Sequence, residues 1–151
     1  MPVYREPPES PASTPELAQK YPLILITGIK SQGYFHSAYR NIPGLRRLDP
    51  EPLLEIHPEA AQERGIKDGE WVEIVTPRGS VKHKARLSEK IAPRVVAAPH
   101  GWWYGYQDGW QEVNINVLTD GSSYDPDVGS SPLKGLLCEV RKADCPPLLA
   151  N

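Results

Sequence analysis

Short apolar runs, each ended by glycine, proline or polar residues, recur along the chain and predict strands rather than long helices. Leu23–Thr27 is a continuous β-prone run that stops at Gly28, which is typical of a strand buried on both faces. Along Ser80–Leu87 apolar and polar positions alternate, the pattern of a half-buried antiparallel strand. The same reasoning predicts further strands at Leu53–Ile56, Trp71–Thr76, Val95–Ala98 and Leu136–Val140.

Helix signals are confined to short segments. The stretch Pro58–Gly65 begins with proline, carries acidic residues and ends in glycine, so one short helix is predicted there. The tripeptide Pro77-Arg78-Gly79 joins two predicted strands and indicates a hairpin. About six short strands with one or two small helices, and no internal repeat, predict a mainly β fold in the form of a closed barrel of mixed topology.

The composition agrees with a turn-rich β domain and narrows the range of partners. The chain has 151 residues, with 17 prolines and 12 glycines against one phenylalanine and one methionine, which favours short strands joined by turns. A net charge of −2 lacks the basic surface of a nucleic-acid-binding protein. No apolar stretch approaches the roughly 18 residues that cross a bilayer, so no transmembrane segment is predicted.

The two ends of the chain differ from its middle. Residues 1–20 are rich in proline and are predicted to form an extended N-terminal tether. They lack the apolar core of a signal peptide, and a cytoplasmic and a periplasmic location both stay open. Residues 21–142 are predicted to form the barrel domain, and residues 143–151 a C-terminal tail.

The segment that follows the first predicted strand is the first candidate binding loop. Thr27–Ser37 contains glycines that allow close approach of a ligand to the backbone. Its hydroxyl, ammonium and imidazole groups suit phosphate oxygens or the edges of a pterin. On residue types alone, a polar loop that merely caps the strand is the more economical interpretation.

Three later segments are further candidates. The stretch Pro99–Tyr106, with Trp110 soon after, interleaves aromatic residues and glycine, which suits either a stacking platform for a flat ring or a packed loop. Asn116 offers a donor and an acceptor to a heterocycle, although turns and helix caps are the commoner role of asparagine. Lys134 is able to reach an anion, but such a lysine is more often simply solvated.

Patterns of known catalytic and metal sites are absent from the sequence. There is no glycine-rich phosphate loop and no G-x-S-x-G motif. The histidines are widely spaced, and the two cysteines, Cys138 and Cys145, define neither a disulfide framework nor a metal site. His83 falls on the apolar face of a predicted strand, where a satisfied, partly buried histidine is expected. No catalytic residue and no metal ligand are therefore predicted.

A series of short motifs runs in order along almost the whole chain. They are Tyr21–Gly28, Tyr34–Ser37, Arg40-Asn41, Pro58–Ala61, Gly65–Gly69, Thr76–Gly79, His100–Trp103, Asn114–Thr119 and Lys134–Cys138. In order and spacing they resemble the C-terminal dinucleotide-binding domain of the molybdopterin oxidoreductases, the dimethyl sulfoxide reductase group. Within that group the motif sequences are most similar to those of the acetylene hydratase-like anaerobic dehydrogenases. The resemblance covers about residues 3–142.

The resemblance implies both a fold and a cofactor. It implies a double-psi β-barrel that closes from one side over a bis(molybdopterin guanine dinucleotide) cofactor carrying molybdenum or tungsten. In that family the metal ligand and the iron–sulfur cysteines belong to earlier domains, and this chain has no cysteine group that would hold a cluster. The cofactor would carry the redox chemistry, and this domain would supply position and hydrogen bonds.

The resemblance also implies which residues bind the cofactor. They are Thr27, Gly28, Lys30, Phe35, His36, Ser37, His100, Trp102, Asn116 and Lys134. The sequence departs from the family twice: Ile29-Lys30 stands where arginine often follows Thr-Gly, and Tyr104-Gly105-Tyr106 follows the tryptophan pair where Phe-Pro-Glu is common. A lysine keeps the charge but loses the bidentate fork of arginine.

The functional hypothesis is a cofactor-binding domain of a larger molybdenum or tungsten oxidoreductase that is not catalytic in isolation. Its expected partners are the remaining domains of its own enzyme and an iron–sulfur subunit. One alternative is a small independent subunit or assembly module that binds a partner oxidoreductase subunit. A stand-alone enzyme on a related barrel would need an acid–base pair or a self-processing site, and the sequence has neither.

Overall fold

Six strands form a closed barrel within the part of the chain that the computed structural model describes, which is residues 4–102, 112–122, 124–125, 129–132 and 134–145. The strands are β1 (Leu23–Ile29), β2 (Leu53–Ile56), β3 (Trp71–Thr76), β4 (Gly79–Leu87), β5 (Val95–Pro99) and β6 (Lys134–Lys142). Around the barrel they follow the order β1-β5-β2-β4-β3-β6.

The barrel mixes parallel and antiparallel neighbours. β1 runs parallel to β5, and β2 runs parallel to β4. The other four contacts, β1 with β6, β2 with β5, β3 with β4 and β3 with β6, are antiparallel. This arrangement confirms the predicted fold class, a mainly β double-psi barrel of mixed topology. All the predicted strands are present, and β6 extends beyond its predicted bounds in both directions.

Alternate side chains of β1, β2, β3 and β4 fill the interior, whereas β5 and β6 each bury a run of consecutive residues. In β1, Leu23 and Leu25 are buried, whereas Ile24 and Ile26 are only half-buried, so the prediction of a strand buried on both faces was wrong. The alternation predicted for β4 is also present, because Val81, His83 and Ala85 point into the core. Burying an aliphatic side chain contributes about 1.5–3 kcal/mol, so this period-two pattern fixes the register of β1, β2, β3 and β4.

The register also determines which strand ends meet. Ile29 of β1 lies beside Pro99 of β5, and Ile26 lies beside Lys134 of β6. Thr76 at the end of β3 faces Gly79 at the start of β4. One end of the barrel, here called the loop end, therefore gathers the last residues of β1, β3 and β5 and the first residues of β2, β4 and β6.

The helices are short. Within the described residues they are α1 (Pro15–Lys20), α2 (Pro43–Arg46), α3 (Pro58–Glu63) and a 3-10 helix, Ile115–Leu118. α3 confirms the predicted helix, and the imidazole Nδ1 of His57 caps it by accepting from the Glu59 N–H at 3.2 Å. None of the helices in the described residues is long and apolar enough to cross a membrane.

The N-terminal segment differs in one part from the predicted extended tether, because α1 lies within it. Pro15 occupies the first turn of α1, where its fixed φ favours the helix and its missing N–H costs nothing. Glu16 in the first turn and Lys20 in the last complement the helix dipole. Six residues give almost no apolar periodicity, so this helix leaves little trace in the sequence.

Candidate functional site

Gly28 and Lys134 lie together at the loop end of the barrel. A Cβ built on Gly28 would be 3.5 Å from Cε and 3.8 Å from Nζ of Lys134. Both residues are exposed, and the register between β1 and β6 shifts just after Lys134, before Leu136. The arrangement places an ammonium group over open backbone at the end of a strand. Bare backbone beside a cation is a surface that suits an anionic group such as a phosphate.

His36 and His100 bring two loops together beside that surface. Their ring centroids are 4.8 Å apart and their planes are tilted by 58°. Phe35 packs edge-on against His36, with centroids 4.7 Å apart, and remains 70% exposed. Nδ1 of His100 lies 3.3 Å from the backbone oxygen of Thr27. The segments after β1 and after β5 thus form one surface that carries imidazole and aromatic groups.

Gly101 allows the close approach of these two loops. Its φ is +84°, and a Cβ at this position would lie 2.6 Å from the His36 carbonyl oxygen and 3.2 Å from the Ser37 nitrogen. His36 itself has a φ of +54° and Tyr39 a φ of +71°. Such left-handed conformations cost about 1–2 kcal/mol in residues with a Cβ, so the packing of Gly101 on this loop is needed to hold it.

Arg40 packs between aromatic side chains of the same two loops. It is not among the site residues predicted from the sequence. Its guanidinium carbon lies 3.6 Å from the Trp102 ring centroid and 4.7 Å from the Tyr34 ring centroid. Only 6% of Arg40 is exposed. The Tyr34 hydroxyl donates to the backbone oxygen of Asp49 at 2.8 Å, and burial raises the pKa of Tyr34. A buried cation between two aromatic rings therefore fixes the position of Trp102.

A cavity of about 320 Å³ opens beside Lys30 and Trp102. It is lined in addition by Ile29, Ser31, Gln32, Leu48, Asp49, Glu51, Leu53, Arg86 and Pro99. The Ser31 hydroxyl donates to the Asp49 carboxylate, so part of the polar lining is already paired within the protein. Lys30 itself is exposed, and its side chain is available to a ligand at the rim.

Asn116 reaches the loop end from another direction. Asn114 caps the 3-10 helix by accepting from the Asn116 N–H at 3.1 Å. The capping role thus falls to Asn114, and the side chain of Asn116 is exposed. A Cβ on Gly79 would lie 2.8 Å from Cγ1 of Val117, so this helix packs tightly on the turn between β3 and β4. Asn116 is therefore beside that turn, whereas the histidine pair is beside β1 and β5.

The structure distributes the predicted residues over one end of the barrel. It brings Thr27, Phe35, His36, Ser37 and His100 into one contact surface around Gly101. Trp102 joins that surface through Arg40. The predicted aromatic platform extends over Trp103, Tyr104, Tyr106 and Trp110, which lie outside the described residues.

His83 and Cys138 belong to the core rather than to the site. His83 is fully buried, with Nε2 3.1 Å from the Val113 backbone oxygen, and burial lowers its pKa to about 4. Burial likewise raises the pKa of the Cys138 thiol, so this cysteine is unreactive. In the described residues no three histidine, cysteine, aspartate or glutamate side chains are grouped in a way that would hold a metal ion.

Residues 23–137 match a family model described as the molydopterin dinucleotide binding domain. The chain belongs to this family. It is 37% identical over 147 residues to a dopamine dehydroxylase of Eggerthella lenta, covering 95% of this chain and 14% of that protein. It is 33% identical over 145 residues to an acetylene hydratase of Syntrophotalea acetylenica, covering 89% and 20%.

The solved structures give the same result. The acetylene hydratase from Pelobacter acetylenicus superposes with a TM-score of 0.87 at 30% identity, over 95% of this chain and 21% of that one. The chain thus spans about a seventh to a fifth of the length of these relatives. It corresponds to one domain of larger proteins, and the cofactor class predicted from the sequence, a molybdopterin dinucleotide, is confirmed by the family.

Proposed function

We propose that the loop end of this barrel covers one side of a molybdopterin guanine dinucleotide in a larger molybdenum or tungsten oxidoreductase. The observation that carries the proposal is the position of Lys134 over the bare backbone of Gly28. An ammonium group and open backbone at the end of a strand favour a pyrophosphate.

The predicted binding residues divide into three roles. Lys134, Lys30 and the Gly28 backbone bind the phosphates. His36, His100 and Ser37 donate hydrogen bonds to oxygen or nitrogen atoms of the pterin, and Thr27 holds His100 through its backbone. Asn116, whose amide is both donor and acceptor, reads an edge of a heterocycle. When bound, the cofactor supplies the redox chemistry through its metal, and this chain positions it and excludes water.

In the proposed enzyme, the remaining domains of the same protein cover this end of the barrel. Four large apolar side chains of the loop after β1 are exposed: Phe35 (70%), Tyr39 (56%), Ile42 (43%) and Leu48 (61%). Apolar groups concentrated on one loop favour a contact with another protein surface. An iron–sulfur subunit, expected from the resemblance, would be the electron-transfer partner of the whole enzyme.

Calorimetric titration of the 151-residue chain with GDP tests the proposal. GDP carries the base and the pyrophosphate of the dinucleotide, and guanosine is the matched control without phosphates. We expect saturable binding of GDP in the millimolar range, weaker at high salt, because only one side of the cleft is present. Guanosine should bind more weakly still. Equal binding of both ligands, or no saturable binding of GDP, would contradict a phosphate site on this surface.

A further inference from the structure

The side chains of Glu9 and Arg78 form a bidentate ion pair across the barrel wall at the loop end. Nη1 of Arg78 lies 2.7 Å from one carboxylate oxygen of Glu9, and Nη2 lies 3.1 Å from the other. The side chain of Arg78 is 22% exposed and that of Glu9 is 16% exposed. Sixty-nine residues separate the partners in sequence. A pair of this geometry is stronger than an ordinary surface ion pair.

Each partner also binds a backbone group that stands near a candidate cofactor residue. Nε of Arg78 donates to the Leu118 oxygen at 2.7 Å, and Leu118 ends the 3-10 helix that contains Asn116. The Leu137 N–H donates to a carboxylate oxygen of Glu9 at 2.6 Å, and Leu137 lies in β6, the strand that begins at Lys134.

The Leu137 N–H would otherwise be at the end of a hydrogen-bond ladder. The pairing of β3 with β6 ends at Val75 and Glu139. The turn after β3 contains Pro77, which has no N–H to donate to a further strand pair. The Glu9 carboxylate thus takes the place of a strand neighbour. It closes the barrel wall where β3 and β6 separate.

We propose that Glu9 and Arg78 are positioning residues that fix Asn116 and Lys134 relative to each other. The chain of contacts runs from the Asn116 helix through the Leu118 carbonyl, Arg78 and Glu9 to the Leu137 amide. A cavity of about 140 Å³ lies beside the ion pair, with Glu9, Arg78 and Lys134 in its wall. The functional meaning rests on the proposed function, since Asn116 and Lys134 are taken as ligand contacts.

A second ion pair of the barrel provides a matched control. Arg64 binds both carboxylate oxygens of Glu139, at 2.5 and 3.2 Å. Arg64 also donates to the Ala60 oxygen at 2.9 Å, and the Val140 N–H donates to Glu139 at 2.7 Å. This pair makes bonds of the same kinds as Glu9–Arg78, with Glu63 as a further partner of Arg64. It joins β6 to α3, at the end of the barrel opposite the loop end.

The test compares Glu9→Gln with Glu139→Gln in the 151-residue chain, by amide chemical shifts without ligand and by GDP titration. Both variants should lower the Tm. Only Glu9→Gln should move the amide signals of both Asn116 and Lys134, and only it should raise the Kd for GDP, by about fivefold. Arg78→Lys, which keeps the charge but loses the fork, should act like Glu9→Gln and serves if that variant fails to fold.

Reversing the pair gives a second, sharper test. In the double variant Glu9→Arg with Arg78→Glu, an arginine faces the Leu137 N–H and a carboxylate faces the Leu118 oxygen, so both backbone contacts become unfavourable. The swap should therefore not restore the wild-type Asn116 and Lys134 signals. A full restoration, or unmoved signals in Glu9→Gln and Arg78→Lys, would overturn the proposal. If wild-type GDP binding is absent, the proposed function fails, whereas the signals of the ligand-free variants still decide the positioning role.

Discussion

The imidazole rings of His36 and His100 contact each other, with centroids 4.8 Å apart, although the two residues follow different strands. Their contact joins the loop after β1 to the loop after β5. These two strands are parallel neighbours and end at the same side of the barrel. Parallel strands that finish together are a recurrent place for ligand sites, because their following loops are necessarily adjacent. The site thus arises from topology, and single residues then determine how closely the loops approach.

Replacing Gly101 with alanine should separate these loops. Gly69→Ala is the matched control, since Gly69 has a similar φ of +78° but nothing within 4 Å of its Cβ position. The control should lose about 1–2 kcal/mol of unfolding free energy from backbone strain alone. Gly101→Ala should lose about 2 kcal/mol more, because its Cβ would meet the His36 carbonyl rather than a flexible side chain.

Urea denaturation of both variants measures this difference. Equal losses in Gly101→Ala and Gly69→Ala would show that the loop yields easily to the added methyl group. The surface formed by the loops after β1 and β5 would then deform at a lower free-energy cost than the contact distances indicate.

Removing the charge of Arg40 should loosen Trp102. Arg40→Met keeps much of the side-chain volume but loses the cation between the Trp102 and Tyr34 rings, at an expected cost of about 1–2 kcal/mol. Arg47→Met, at an exposed position, should change stability by less than about 0.5 kcal/mol. Thermal and urea unfolding provide the comparison, and indistinguishable variants would contradict a stabilising cation–π contact.

Lys134 should matter for binding but not for folding. Lys134→Gln removes the ammonium beside Gly28 and should raise the Kd for GDP about tenfold, with little effect on Tm because the side chain is exposed. Lys90→Gln is the control, since Lys90 is exposed beyond the far end of β4. A Kd raised equally by both changes would indicate only a general charge effect.

His83 should give the fold a defined sensitivity to acid. Its pKa is lowered from 6.5 to about 4 in the folded chain by burial, so the unfolded chain takes up a proton first as the pH falls. The associated stability is complete above pH 6.5 and is lost progressively towards pH 4, by about 3 kcal/mol in total.

A His83→Gln variant isolates this contribution. The difference in unfolding free energy between wild type and variant should shrink by about that amount between pH 7 and pH 4. Other titrating groups act on both proteins alike and cancel. A difference that stays constant over this range would mean that His83 titrates normally.

The fold follows from sequence pattern because strand burial is a local, periodic property. The alternation along β4 and the continuous apolar run of β1 are both visible in the sequence, and both strands are where they were predicted. α1 escaped detection because its six residues, which begin with Pro15, carry no apolar period. The start of β6 at Lys134 was missed for a different reason: polar residues at a barrel rim do not repeat with the core.

The residues of the proposed site come from the resemblance to a family, and the contacts that hold them in place were not predicted. Residue types alone favoured a polar cap for the loop after β1. The contact of Arg40 with Trp102 and the pairing of Glu9 with Arg78 join residues 62 and 69 positions apart, so no local pattern announces them. For Asn116, sequence left open a contact with a heterocycle or the commoner role in a turn or cap, and the structure assigns the cap of the 3-10 helix to Asn114.

Mapping of GDP onto the 151-residue chain by amide shifts tests most directly whether the loop end of the barrel binds the dinucleotide. Saturating shifts should appear at Thr27–Ser37, Asn116 and Lys134, while Glu63–Lys67 near the opposite end stays unchanged. Shifts that concentrate at that opposite end, or no shifts at millimolar GDP, would contradict binding of the dinucleotide at the loop end.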